Sequence, residues 1–380
     1  MSGGALVWRL AGVVESKRMN PTSGLPLVSV VIPTRNRRRL LAEAIESVRR
    51  QSYPHWELIV VDDCSEDDTW VWLSSLADPR IRAVRLGHHS ERSAARNRGL
   101  AGARGDYVLF LDDDDLLVPE ALTVLAGAMD RFPHVVGAAG AVEQFDARGH
   151  SRRLPWVRRA RCILPWPTIL WGWWILQGQA AIKRETLVAV GGWDPGLAGP
   201  EDQELWLRLG LRGPVVLVPN LVLKNRFHST WRGVDTPEVE QVFRERFVRR
   251  LEGADLVLAG RVLSSREHFE VAVSHYQCAE WFAGLMAVAR AVRAAPDITL
   301  GPPLRGRVLG LMARLLLGLL TGSKGVGLVR VGVREVRRRL RMSPEGVAVL
   351  SGSAIVGGQA INRRVAGSAN HGATSRPGSG

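Results

Sequence analysis

The stretch Tyr107–Leu117, YVLFLDDDDLL, decides the fold: apolar and aromatic residues run straight into four consecutive aspartates. Such a run reads as a buried strand that delivers its carboxylates to one edge of a sheet. Four carboxylates packed together repel, so a positive group belongs beside them. A divalent metal carrying phosphate oxygens is one candidate. The other reading is a helix cap with solvated acids, because Pro119 and Glu120 open a helix just afterwards.

The flanking sequence repeats the pattern. Val28–Ile32, VSVVI, is a predicted strand ended by Pro33, and Leu58–Val61 is a second, ending in Asp62 and Asp63. Ile81–Leu86 is a third and Tyr107–Leu111 a fourth. Between them, Arg38–Arg50 places Leu40, Leu41, Ala44, Ile45 and Val48 at helical spacing, and Ala94–Ala103 reads as a short helix with Arg96 and Asn97 near its start. Strands alternating with helices predict βαβ units and a mostly parallel, Rossmann-like sheet. Ligands bind such sheets beyond the carboxyl ends of the strands. Pro33-Thr34, Asp62-Asp63 and Asp112–Asp115 all fall there.

At 380 residues, nearly half of them apolar, the chain can bury a sizeable core and hold more than one domain. The net charge is +14, and between Pro303 and Arg341 ten Lys or Arg face one Glu. That segment predicts an anionic partner, an anionic membrane surface before nucleic acid, since no aromatic residues are interleaved with its cations as a single-strand platform requires. Val308–Leu320 is apolar but thirteen residues long and interrupted by Arg314, too short to span a bilayer. It reads equally as a helix lying in a membrane interface or as a packing helix. Cys64, Cys162 and Cys278 are scattered and odd in number, which fits a reducing cytoplasm and neither a disulfide framework nor a zinc site. The apolar run at the N-terminus is broken by Arg9 and lacks a basic lead, so it does not read as a signal peptide. Pro237–Glu252 and Val271–Val292 are predicted helices, and 343–380, rich in Gly, Ser and Ala, is predicted disordered.

Five segments, VSVVIPTRNR (28–37), ELIVVDDCSEDDT (57–69), RSAARNRGLAGARGDYVLFLDDDD (92–115), GGWDPGLAGPEDQELWLRL (191–209) and NRFH (225–228), occur in an order and spacing that resembles family 2 glycosyltransferases. The resemblance covers about residues 27–232 and implies an α/β GT-A fold, a mostly parallel central sheet flanked by helices. Residues 1–26 would be an irregular leader, 233–342 a mainly helical basic region and 343–380 a tail. It implies an inverting enzyme that moves a sugar from a nucleotide-diphospho-sugar donor (UDP-, dTDP- or GDP-linked) to a saccharide or lipid-linked acceptor, with Mn2+ or Mg2+ on the diphosphate. The enzyme would work in the cytoplasm, peripherally on the inner face of the membrane.

The resemblance places the DXD motif at Asp112-Asp113-Asp114, with Asp114 as direct metal ligand and Asp112 on the ribose or a metal-bound water. Asp115 would be a cap or supporting group. Asp63 matches the base-binding aspartate, and Pro33 and Thr34 would line the base and ribose pocket. Arg96 is either a cation near the phosphates or a salt bridge to the aspartate run. Glu201-Asp202 matches the ED motif, with Asp202 as general base, although acids in a first helical turn also stabilise the helix dipole. Trp193 and Trp206 flank that pair and would shape the acceptor pocket. The tryptophans of PWPTILWGWW (165–174) are either core or sugar-stacking surfaces. His228 is either a metal-facing or a structural histidine. The chain departs from the family pattern in having Asp where a small residue is common within the run, and in placing Cys64 where Gly or Asn is usual. A non-catalytic nucleotide- or saccharide-binding protein on the same fold is the alternative. A nucleotidyltransferase would want a glycine-rich loop after the first strand, and IPTRNRRRL has none.

Overall fold

The computed structural model describes residues 24–154, 162–164, 166–171, 175–197, 201–227, 245–300 and 304–320. Residues 1–23 of the leader, the tail, His228 and the first half of the predicted 237–252 helix lie outside them.

The strands are β1 (Val28–Thr34), β2 (Trp56–Asp62), β3 (Ile81–Arg85), β4 (Tyr107–Phe110), β5 (Leu116–Leu117), β6 (Gly137–Phe145), β7 (Ser151–Arg153), β8 (Cys162–Leu164), β9 (Ala180–Lys183) and β10 (Val215–Arg226). They form one sheet in the order β3-β2-β1-β4-β9-β6-β10-β5, with β7 on β6 and β8 on β10. The half carrying the predicted motifs, β3-β2-β1-β4, is parallel. β9 runs antiparallel between β4 and β6, and β6 is parallel to β10. The sheet is therefore mixed, with its parallel part where the sequence predicts it.

The helices are α1 (Arg38–Arg49), α2 (Thr69–Ser74), α3 (Glu91–Gly102), α4 (Ala121–Arg131), α5 (Trp166–Trp171), α6 (Arg184–Ala189), α7 (Glu201–Gly210), α8 (Gly253–Gln277), α9 (Trp281–Ala294) and α10, over 305–320. α1 buries Leu41, Ala44, Ile45 and Val48, the stripe its sequence predicts. These residues pack with Val30, Ile32, Leu58 and Val60 on one face of the sheet. On the other face Val31, Ile59, Val61 and Phe110 pack with α3, Trp193, Trp206 and the start of α8. Both faces are covered, which is why β1, β2 and β4 read as continuous apolar runs rather than alternating ones.

Two expectations are corrected. β1 does not end at Pro33 but runs through it to Thr34, opposite Asp62. The ladder to β4 stops at Val31 and Phe110, apart from the Leu111 N–H donating to the Val31 carbonyl, so Pro33 lies where β1 has no neighbour on that side and no N–H is needed. The predicted Val271–Val292 helix is instead two helices, α8 and α9, that meet at Ala279, held at φ +61. α9 returns along α8, and α10 adds Val308, Leu311 and Leu315 to a small core with Ala272, Ala287 and Val288. Gly318 and Gly284 permit that approach: a Cβ at Gly318 would fall 2.4 Å from Trp281, and one at Gly284 2.5 Å from Leu315. Part of Val308–Leu320 is thus a packing face. Leu309 and Leu316 remain exposed, and no helix among the described residues is long and apolar enough to cross a membrane.

Candidate active site

The carboxyl ends of β1, β2 and β4 bring Thr34, Asp62-Asp63 and the aspartate run to one edge. The aspartates are held by different arrangements, and Asp113 and Asp114 share one. Asp112 accepts from Arg96 Nη2 at 2.7 Å. Asp113 accepts from Thr34 Oγ1 at 2.8 Å and Arg37 Nη1 at 3.0 Å, and the same nitrogen lies 2.9 Å from Asp114 Oδ2. Asp115 accepts from Asn225 Nδ2 and from the Arg226 N–H at 2.8 Å, so it ties the run to the end of β10 rather than presenting a carboxylate outward. Arg226 completes that tie through the Asp114 carbonyl and Glu43.

Burial pushes the Asp113 carboxyl up to about 6, against the opposing pull of Arg37 and Thr34 and with the help of its neighbours Asp114 and Asp112. Burial also holds Asp115 well above the usual carboxylate range, reinforced by the Asp112 charge. In both the loss of water outweighs the hydrogen bonds that favour the charge, and the neighbouring carboxylates add to the upward shift.

Arg96 is the hub. It is 1% exposed, sits over the Trp193 ring at 4.4 Å, and bridges Asp112 to Glu201, whose Oε1 accepts from Nη1 at 3.1 Å. Of the two sequence readings of Arg96, the structure has the salt bridge to the aspartate run. Through it the first turn of α7 is held beside the aspartates. α7 itself is anchored from below, where buried Glu204 accepts from Arg208 and from Arg250. Asp202, the first-turn neighbour of Glu201, accepts from the Gln203 N–H at 2.8 Å and is partly exposed. Trp193 and Trp206 are 1% and 2% exposed, and their indole nitrogens have no hydrogen-bond partner. They support the site from beneath and offer no open ring face. Trp171 is likewise core, donating to Ser265 on α8.

Asp63 faces the start of α3. It accepts from His89 Nδ1 at 2.6 Å, the Ser90 N–H at 2.7 Å and the Glu91 N–H at 3.1 Å. Much of its accepting capacity is thus used by that helix terminus. Asp62 is buried and bound to Ser65 and Arg85, so it fastens the turn after β2. The backbone here is strained: Asn36, Cys64 and Glu91 all have φ between +54 and +67, a region that costs a residue with a side chain energy and that collects at functional sites.

Sequence reasoning missed Arg37, Arg226, Asn225 and His89. Arg37 carried a signal, since the basic run RNRRR (35–39) directly follows the carboxyl end of β1.

Among the described residues no three His, Cys, Asp or Glu side chains are grouped to hold a metal by themselves. The run does supply two carboxylates bridged at 3.0 and 2.9 Å by one cationic nitrogen. That donor set fits a hard divalent ion that takes one or two carboxylates and completes its shell with phosphate oxygens. It does not fit an all-protein cage.

The parallel half of the sheet, the aspartate run at its carboxyl edge and the acidic helix terminus beside it are what the GT-A resemblance implies. The family model for glycosyl transferase family 2 matches residues 29–190. EpsE of Bacillus subtilis (strain 168) is 32% identical over 205 residues, half of this chain and 69% of that one. The chain belongs to glycosyltransferase family 2. It is also similar to the GalNAc(5)-diNAcBac-PP-undecaprenol beta-1,3-glucosyltransferase of Campylobacter jejuni (serotype O:2), 39% identical over 117 residues, 30% of this chain and 38% of that one. Matches to other relatives are shorter, spanning 38% and 36% of two of them. Among solved structures, S. aureus TarS 1–349 in complex with UDP-GlcNAc superposes with a TM-score of 0.54 at 19% identity, covering 81% of this chain and 92% of that one. At that identity the likeness is one of fold.

Proposed function

We propose that the protein is an inverting glycosyltransferase that takes a nucleotide-diphospho-sugar donor and uses Asp202 as its base. The observation that carries this reading is the Asp112–Arg96–Glu201 bridge, 2.7 and 3.1 Å, which holds the first turn of α7 against the aspartate run. An in-line displacement needs a base on one side of the anomeric carbon and a stabilised diphosphate on the other. The bridge links the two groups suited to those tasks.

In this reading Thr34 and the Pro33 backbone line the nucleoside pocket, and the remaining accepting capacity of Asp63 meets a base N–H. Asp114, Asp112 and Asp113 form the diphosphate side. A divalent ion, Mn2+ or Mg2+, would be held by Asp114 with Asp113 beside it rather than with Asp112, whose carboxylate is already bound to Arg96, and it would supply charge neutralisation for the departing diphosphate. Asp202 accepts the proton of the acceptor hydroxyl. The hydroxyl oxygen forms the new bond to the anomeric carbon as the carbon–oxygen bond to the diphosphate breaks, and the electron pair leaves with the diphosphate. Arg96, buried and charged, holds Glu201 and with it the first turn of α7 in place. The name of the Campylobacter relative, acting on a diphospho-undecaprenol, supports a lipid-linked acceptor. The basic segment 303–341 would then hold the enzyme against an anionic membrane surface on the cytoplasmic side, with the exposed Leu309 and Leu316 of α10 beside it.

Calorimetric titration of the full chain with UDP, dTDP and GDP, each with Mn2+ and with EDTA, tests the donor site. Metal-dependent binding of one nucleotide, lost in Asp114→Ala, is expected. Turnover lost in Asp202→Asn with nucleotide binding kept would assign the base. Binding of nucleotide with no transfer to any acceptor would favour the non-catalytic alternative.

A further inference from the structure

Among the described residues three arginines touch the aspartate run, and they differ sharply in how they are held. Arg96 is buried, stacked on Trp193 and shared with Glu201. Arg226 has a side chain 16% exposed, lies 4.6 Å over the Phe145 ring and is shared with Glu43. Arg37 has a side chain 48% exposed, and its Nη1 lies between Asp113 Oδ1 and Asp114 Oδ2 at 3.0 and 2.9 Å. One nitrogen equidistant from two carboxylates occupies the place a small cation would take between them.

The backbone beneath Arg37 is fixed while its side chain is not. Asn36 holds φ +54, donates its N–H to Ser65 Oγ at 3.0 Å, and accepts from the Glu66 N–H at 2.7 Å through its side-chain oxygen. The loop after β1 is thereby fastened to the loop after β2. From that fixed point the guanidinium, itself half exposed, can swing into water, while Asp113 and Asp114, 8% and 16% exposed, call for another cation in its place.

We propose that Arg37 is an exchangeable counter-cation. It neutralises Asp113 and Asp114 while no donor is bound, gives up that position when a divalent ion arrives with the diphosphate, and then donates to a diphosphate oxygen. A dication and a guanidinium cannot share one position between two carboxylates, since like charges a few ångströms apart repel strongly where water is partly excluded. Free metal therefore competes with Arg37. Metal brought together with a diphosphate does not, because the diphosphate gives the guanidinium a new anion. The protein thus discriminates against free metal and takes metal and nucleotide as a unit. This rests on the donor-site reading above.

The test uses the full chain with Mn2+ and UDP as probes. Mn2+ binding is measured by electron paramagnetic resonance of the free ion, without and with saturating UDP, on the wild type, Arg37→Gln and Arg37→Lys. Thermal melts establish that each variant is folded. Arg37→Gln is expected to bind Mn2+ alone about tenfold or more tightly than the wild type. Its gain in Mn2+ affinity on adding UDP should shrink by a similar factor, and Arg37→Lys should restore part of both. If the wild type binds Mn2+ with UDP but Arg37→Gln leaves the affinity for Mn2+ alone unchanged, the exchange is wrong and the donor site stands. If neither protein binds Mn2+ with UDP, the donor-site reading falls and the exchange falls with it.

Discussion

Replacing Asp113 by asparagine should make the protein more stable and a poorer binder of donor. Asp113 is 6% exposed, and burial lifts its carboxyl from the usual 3.8 to about 6. In the unfolded chain the same group ionises near its usual value, so between about pH 4 and pH 6 the native state holds a proton the unfolded state has lost. Stability therefore falls as pH rises through that window, and the full penalty is present above it. A shift of about two units corresponds to roughly 3 kcal/mol. Asparagine has the same shape, can still accept from Thr34, and avoids the buried charge. It gives up the Asp113 half of the Arg37 contact, but Arg37 is half exposed and keeps Asp114, so that loss is roughly 0–1 kcal/mol. The net expectation at pH 7.5 is a gain of about 2 kcal/mol, or roughly 4–8 °C in a domain of about 200 residues. The assay is a pair of thermal melts of wild type and Asp113→Asn in EDTA, at pH 7.5 and at pH 4. EDTA is needed because a bound divalent ion would stabilise the ionised form. The advantage of the variant should be present at pH 7.5 and nearly gone at pH 4. A variant that melts no higher than wild type at pH 7.5, or a difference indifferent to pH, would refute the reasoning.

Arg96→Met, which fills a similar volume, strands Asp112 and Glu201 without their buried cation and should cost about 3–5 kcal/mol in urea unfolding; a loss under about 1 kcal/mol would mean that both carboxylates are rescued by water. Gly99→Ala places a Cβ 2.3 Å from Val31 Cγ1, which is packed under α3, so the helix must lift from β1 at a cost of about 1–3 kcal/mol, read from the same urea curves. Glu57 is buried at the edge away from the site. Burial pushes its carboxyl up, but the Ser29 hydroxyl and the Arg104 N–H and guanidinium outweigh that and hold it below its usual value. Its contribution is present above the ordinary glutamate range and lost as pH falls through the lowered value. Glu57→Gln should cost about 1–3 kcal/mol at pH 7 and flatten the acid side of the stability profile; an unchanged profile would show that the ionised form is not what these donors hold.

How much of this was legible depended on whether the signal was local. β1, β2 and β4 are apolar runs bounded by charged or turn residues, and both their faces are buried, so the sequence names them directly. β6, GAAGAVEQF, carries little β-branched character, because small residues are what its neighbours allow: a Cβ on Gly140 would lie 2.4 Å from Val222. β10 is broken in pattern by Pro219-Asn220, where its register against β6 shifts between Leu217 and Leu221. The turn at Ala279 was hidden since the apolar spacing of α8 continues into α9. In the site, the DXD and ED segments were visible as acids at element ends. What joins them, Arg96 to Glu201, spans 105 residues, and no local spacing encodes a contact of that range. Arg37 closes the VSVVIPTRNR segment but was given no role, because its partners lie 76 and 77 residues away.

The charges of the edge form a graded arrangement. From Arg96 to Arg226 to Arg37 the side-chain exposure rises through 1%, 16% and 48%. Arg96 and Arg226 serve Asp112 and the backbone around Asp114 and Asp115, and each is also committed elsewhere, to Glu201 or to Glu43. At the Asp112 end Arg96 cannot change partners without uncovering the buried Glu201, a change that costs several kcal/mol; at the other end Arg226 is held by the Asp114 carbonyl, the Phe145 ring and the partly exposed Glu43. The middle pair, Asp113 and Asp114, is served by the one arginine of the three whose release exposes only acids that an arriving cation would itself neutralise. The strained residues reinforce this division. Asn36 fastens the backbone beside Arg37, Cys64 makes the turn after the second strand, and Glu91 begins the helix that carries Arg96. Strain of that kind persists only where surrounding contacts over-determine it, and here it holds the scaffold still around a single movable charge.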